Sequence, residues 1–308
     1  MKKKQWLTYG MLIFATATWG SAFIAGKIAV QSFEPATVAF LRFLGAAILL
    51  FPILWLTEKN RKKPTLKDYG LFAILGLTGI ALYNICFFIA TKHAPVIKSS
   101  LFIASNPVLI VLLSGIFLKE TITKNHIIGM VIALMGATFV ITDGHILTLF
   151  QFGFDSIDFV LLGAVICWAL YSVVGKVVLK KYSSVESTTY AVAFGTVFLF
   201  PFALVETTWQ DVQHADFSTW LAIAHMSIFV TVVAFIMYYY GIKEIGAAKA
   251  SIFINVMPVS AVLMATIFLD ETFTLAHGIG AAFVLSGVYI GTNPKIFRKK
   301  ISAVNRAI

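Results

Sequence analysis

The chain has 308 residues, of which 59% are apolar and 12% charged, and its mean hydropathy is +0.89. That leaves too little polar surface to cover a water-soluble fold of this length, so the chain belongs in a bilayer. A net charge of +10 would suggest a nucleic-acid partner in a soluble protein, and here its meaning depends on where the basic residues lie.

Hydrophobic runs long enough to cross a hydrocarbon core of roughly 30 Å, which takes about 17 to 25 helical residues, occur ten times along the sequence. They cover residues 7–30, 36–56, 69–90, 99–118, 126–142, 159–179, 187–205, 220–242, 250–269 and 277–293. Each is continuously apolar, whereas the strands of a membrane barrel alternate, so the expected fold is all-α with ten transmembrane helices.

The first run follows Lys2-Lys3-Lys4 and carries Ala15-Thr16-Ala17, a pattern shared with secretory signal peptides. Trp19, Gly26 and Lys27 recur 149 residues later as Trp168, Gly175 and Lys176, so the run is read as a retained helix of a repeat. Both tryptophans lie about ten to twelve residues from their helix ends, too deep for the interfacial aromatic belt, and a buried indole N–H needs an acceptor. The second run holds Arg42, roughly 9 Å inside the helix end, where a charge costs a few kcal/mol unless it faces protein or water. Its repeat counterpart is Ala191, and this asymmetry favours a specific role. The third run contributes Tyr83 and Asn84.

From the fourth run the duplication is explicit: residues 98–136 return as 249–287 with 19 of 39 positions identical. Among them are Lys98/Lys249, Phe102/Phe253, Pro107/Pro258, Glu120/Glu271 and His126/His277. A period near 150 residues is too long for a solenoid, so two copies of one unit are fused, taken as 7–142 and 159–293. Pro107 and Pro258 lie about nine residues into their helices, near the bilayer centre, where each frees a backbone carbonyl. Asn106 and Asn255 are close enough to serve those carbonyls or a ligand. Glu120 and Glu271 fall at helix ends just ahead of Thr123 and Thr274, which are placed to N-cap the next helices, so their role is read as structural. Gly129/Ala133 and Gly287/Gly291 have the spacing of close helix contacts. The eighth run adds His225 and the tyrosines 238–240.

No Asp or Glu falls centrally in any run, so a site there suits neutral, zwitterionic or anionic solutes rather than lipophilic cations. Cys86 and Cys167 match no metal or redox spacing, and neither metal nor cofactor is expected.

With the N-terminus in the cytoplasm, 18 of the 24 basic residues collect on the inner side, while the outer loops hold Lys92 with Glu34, Asp155, Glu206, Asp211 and Asp216. The positive-inside rule then puts both termini in the cytoplasm, with the basic face against acidic lipid and no nucleic acid involved. Five helices per copy is an odd number, so the second copy enters the membrane upside down. The basic loop at 59–67 and its acidic counterpart at 206–216 agree with an inverted repeat, a recurrent plan in secondary transporters.

The segment Ala17-Thr18-Trp19-Gly20-Ser21, the stretch 107–121 ending Phe-Leu-Lys-Glu-Thr, its partner 258–272 ending Phe-Leu-Asp-Glu-Thr, and Gly129/Gly136 with Gly280/Gly287 resemble the drug/metabolite transporter superfamily, specifically its EamA branch. The resemblance covers essentially the whole chain. It implies a five-plus-five inverted repeat and a central cavity lined chiefly by helices one, three, four, six, eight and nine. It also implies export or exchange of amino acids and related metabolites. Carried over, it makes Trp19, Tyr83, Asn84, Phe102, Asn106, Trp168, His225, Tyr239 and Asn255 cavity candidates. The expectation is a plasma-membrane carrier of small metabolites, amino acids foremost, working by alternating access as a monomer or homodimer, with His225 the one titrating group deep in the bundle. The alternative is an exchanger of organic anions or phosphorylated metabolites held by Arg42. A polytopic membrane enzyme is disfavoured because six scattered histidines and no intramembrane acids supply no clustered catalytic set.

Overall fold

The computed structural model describes residues 3–59, 63–94, 96–151, 153, 155–268 and 272–293. Among them ten helices are long and apolar enough to cross a membrane. In the first half these are α1 (Lys4–Ala29), α2 (Pro35–Thr57), α3 (Leu66–His93), α4 (Lys98–Phe117) and α5 (Lys124–Ile141). In the second half they are α6 (Ser156–Val178), α7 (Ser184–Glu206), α8 (Phe217–Ile245), α9 (Ala247–Ile267) and α10 (Leu275–Thr292). No strand occurs among the described residues. The face on which α1 starts is called the terminal face below, and the opposite one the far face.

Five helices begin two or three residues ahead of their apolar runs because a polar first turn caps them. Capping boxes start α3 (Thr65 with Asp68), α5 (Thr123 with His126), α6 (Asp155 with Asp158), α7 (Ser183 with Glu186) and α10 (Thr274 with His277). Thr123 and Thr274 thus cap as the sequence suggested, and the repeated histidines are their partners: His126 and His277 accept the threonine backbone N–H through Nδ1 at 3.3 and 3.2 Å. Glu120 does more than end α4. Its carboxylate accepts from the Ala247 and Ala248 N–H groups and caps the start of α9 at 3.0 and 3.1 Å. Glu271 lies outside the described residues.

The repeats are intertwined. α1 packs against α8 and α9 of the second copy, and α6 packs against α3 and α4 of the first. α5 and α10 form the closest pair, side by side. A Cβ on Gly129 would come within 2.3 Å of the Gly291 nitrogen, and one on Gly136 within 2.6 Å of the Gly280 carbonyl oxygen, so the backbones touch where these glycines lie. On the far face Lys98, at the start of α4, pairs with Asp155 at 3.0 Å and Asp158 at 2.9 Å, tying the linker between copies to the first repeat. The bond from Lys98 holds the Asp155 carboxyl below the usual carboxylate range.

Among the described residues four helices depart from regular α geometry, in two symmetric pairs. α4 breaks at Ser105, between Val96–Ala104 and Asn106–Phe117, and α9 passes through a 3-10 turn at Ile252–Asn255. These are the breaks that Pro107 and Pro258 foreshadowed. α3 and α8 each contain a π-helical segment, Gly76–Leu82 and Met226–Val233, starting 150 residues apart. π segments loosen the backbone bonding of a helix and recur at functional sites.

Candidate functional site

The irregular segments converge. Between the repeats lies a buried cavity to which α1 gives Trp19 and Ala22, α2 Arg42, α3 Tyr83 and Phe87, and α4 Ile103 and Asn106. The second copy adds Trp168 from α6, Val230 and Phe235 from α8, and Ile254 and Met257 from α9. The lining helices are the six that the resemblance implied, with α2 in addition. About 30 Å³ is open to the centres of water molecules, room for roughly two waters.

Arg42 does not snorkel to the surface. Its side chain is 4% exposed, Nε donates to Thr231 Oγ1 at 2.8 Å, and Nη1 donates to Asn84 Oδ1 at 3.0 Å. The guanidinium carbon also lies 4.8 Å from the Phe43 ring centroid. Asn84 in turn donates to the Gly79 and Ile80 carbonyls of the π segment in α3, while Thr231 belongs to the π segment in α8. Arg42 therefore bridges the two irregular helices across the repeat boundary. Thr231 and Asn84 are both neutral, so among the described residues the cation comes to the cavity without an anion.

Asn106 takes on the task left by its neighbour. Pro107 has no N–H for the Ile103 carbonyl, and Asn106 Nδ2 donates to that oxygen at 3.0 Å. Its Oδ1 stays buried with no hydrogen-bond partner among the described residues. The second break is settled differently: the Val256 N–H bonds the Phe253 and Ile254 carbonyls in the 3-10 turn. Asn255, fully buried beside the cavity-lining Ile254, has neither amide atom partnered among the described residues.

Trp19 and Trp168 meet edge to face with ring centroids 5.1 Å apart, and Trp19 Nε1 donates to the Val230 carbonyl at 3.1 Å. Below them, toward the terminal face, Tyr171, Tyr238 and Tyr239 are fully buried. Tyr171 stacks on Tyr239 at 4.8 Å and Tyr238 packs on Trp19 at 4.9 Å. This aromatic layer closes the bundle on that side. Lys176 reinforces it by donating to the Ile242 and Lys243 carbonyls at the end of α8, at 2.7 and 2.9 Å.

The far side is open by comparison. A groove of about 540 Å³ runs between the far halves of α1, α4, α5, α9 and α10, with Lys27 and Gln31 exposed along it. Phe23 lines the groove and Phe87 the cavity, and their rings lie 5.4 Å apart. Adjacent residues of α9, Met257 and Pro258, also face one each, so groove and cavity share a wall.

Of the sequence candidates, the structure gathers Trp19, Arg42, Tyr83, Asn106 and Trp168 around one cavity. Asn84 stands behind it, its Oδ1 accepting from Arg42 and both its N–H groups given to the α3 backbone. Tyr239 belongs to the seal, and Pro258 to the groove rather than the cavity. Phe102 and His225 are half-buried and absent from the lining; His225 Nε2 is hydrogen-bonded to Ser21 Oγ at 2.7 Å. Sequence reasoning missed Ala22, Phe87, Ile103, Val230, Phe235, Ile254 and Met257, whose apolar side chains look the same whether they face lipid, core or cavity. For Met257 a signal existed: it is the repeat counterpart of Asn106.

A model of the EamA-like transporter family matches residues 6–142 and 155–292. "Uncharacterized transporter YyaM" of Bacillus subtilis (strain 168) is 31% identical over 300 residues, covering 96% of this chain and 98% of that protein. A protein of Streptantibioticus cattleyicolor named "Probable terminal-alkyne amino-acid exporter" is 24% identical over 290 residues, 94% of each chain. A solved crystal structure superposes with a TM-score of 0.74 at 20% identity, covering 92% of this chain and 96% of the other, which establishes likeness of fold.

Proposed function

Because the chain belongs to the EamA-like transporter family, we propose that it is a secondary transporter of small metabolites, amino acids or related compounds foremost, working by alternating access. The observation that carries this reading is the sequence of groove, cavity and seal: a pocket between inverted repeats, adjoining a groove on one face and shut by stacked aromatics on the other. Inverted copies can exchange these roles at similar energy, which brings the pocket to each side in turn. The relative named for amino-acid export supports the substrate class.

In this reading the repeats are 7–142 and 159–293, the basic terminal face lies in the cytoplasm of a plasma-membrane protein, and the groove faces outward. No carboxylate lines the cavity among the described residues, and His225 is bonded to Ser21 away from it, so strong proton coupling is not part of the proposal. His225→Gln is expected to leave the pH dependence of transport unchanged. The neutral partners of Arg42 favour a second reading, exchange of organic anions or phosphorylated metabolites.

The test is counterflow in proteoliposomes with labelled amino acids, dicarboxylates and sugar phosphates, with and without a proton ionophore. Accumulation of amino acids above protein-free vesicles is expected. Accumulation of only the anions would replace the first reading with the second.

A further inference from the structure

Two polar side chains that line the cavity are left incomplete by the protein itself, and both come from the first repeat; Asn255 of the second repeat, also unpaired among the described residues, stands behind the lining. Arg42 offers a positive charge with no anionic partner at the cavity among the described residues. Asn106 is 1% exposed and offers an acceptor with no donor. Its amide orientation is fixed, because turning it over would set Oδ1 against the Ile103 carbonyl that Nδ2 now serves. At the matching positions the second repeat has Ala191 and Met257. What the second repeat brings to the cavity is apolar or aromatic: Trp168, Val230, Phe235, Ile254 and Met257. The pocket is thus polarised, with a charged donor and a neutral acceptor on one repeat and an apolar wall on the other.

Resting on the transport reading above, we propose that Arg42 and Asn106 recognise the two ends of a zwitterionic headgroup. Arg42 takes the carboxylate, Asn106 Oδ1 takes an N–H of the protonated amine, and the substrate's apolar side chain lies against the second repeat, the cavity widening from its present two-water size as the wall it shares with the groove moves aside. An organic anion would satisfy Arg42 yet bury Oδ1 unpaired, and a simple amine would satisfy Oδ1 while leaving the arginine uncompensated. The ligand class is an α-amino acid with an apolar side chain, and Asn106 determines specificity by separating it from the deaminated acid.

Competition against labelled leucine bound to the protein in proteoliposomes tests this directly. The competitors are leucine, its deaminated analogue 4-methylpentanoate and its decarboxylated analogue 3-methylbutylamine. Leucine should win by at least about tenfold over each, since a site that pairs a substrate N–H rejects analogues lacking it. Asn106→Met, which installs the residue of the second repeat, should erase the advantage over 4-methylpentanoate and leave the advantage over the amine. Arg42→Gln should do the reverse. Equal binding of leucine and 4-methylpentanoate by the wild-type protein overturns the assignment without recourse to any variant, as does an unchanged ratio in a well-folded Asn106→Met protein. Leucine counterflow without discrimination between the analogues condemns the headgroup assignment alone. No leucine binding, together with counterflow of other solute classes, condemns the amino-acid reading with it.

Discussion

Arg42 and Asn84 occur in one repeat only and are bonded to each other, with Ala191 and Ala234 at the matching positions. Asn84 satisfies the guanidinium with Oδ1 and the α3 π carbonyls with Nδ2, so its replacement acts at both ends. Asn84→Ala should cost about 1–3 kcal/mol, because it leaves a buried donor unpaired. A lowered melting temperature of the purified protein reports that loss. Asn84→Asp should behave differently: it neutralises Arg42 in place at the cost of the two bonds to the α3 carbonyls, so in the protein that folds affinity for carboxylate-bearing solutes falls at least about tenfold. If carboxylate affinity survives that change, Arg42 does not bind the solute. A charge in an apolar run is costly wherever it sits, which is why Arg42 could be singled out from sequence. Thr231 and Phe87 could not, since hydroxyls and phenyl rings are tolerated on every face of a membrane helix.

At the scale of helices, the α5–α10 pair is the element the sequence described best. Glycines at four- and seven-residue spacings mark a close approach whatever else the fold does, and Gly129, Gly136, Gly280 and Gly287 all lie at backbone contacts. Gly129→Leu should destabilise the protein by about 1–3 kcal/mol or more through overpacking, read as reduced monodispersity and melting temperature after extraction. Substitution at Gly10, where an added Cβ would meet nothing within 4 Å, is the matched control and should be silent. The prolines announced the breaks in α4 and α9 because a missing N–H is a local property. The π segments in α3 and α8 had no comparable signal, since they contain no proline and their extra residue is accommodated by what packs against them, as Tyr171 packs against Gly79.

For the molecule as a whole, the equivalent lysines of the two copies are in different situations. Lys176 is bonded to the end of α8 on the sealed terminal face, whereas Lys27 is exposed along the far-face groove. If the copies exchange conformations, Lys27 should bind the end of α3 and Lys176 should be released. Lys176→Met removes two charge-assisted bonds from the sealed side only, and should raise the fraction open on the terminal face about tenfold. Labelling of a cysteine placed at Ala248, 1% exposed on that face, measures the shift, and an unchanged labelling rate would show that Lys176 does not hold the seal. Sequence by itself determined the ten spans, the duplication and the inversion, because hydrocarbon thickness, backbone satisfaction and helix parity act on each helix or loop separately. Only the tertiary structure decided which polar groups meet, that Arg42 lacks an anion and Asn106 Oδ1 a donor among the described residues, and which face is closed. Those facts depend on how intertwined helices share one small volume, and a pairing between residues 189 positions apart, Arg42 with Thr231, leaves no trace in the local pattern of either.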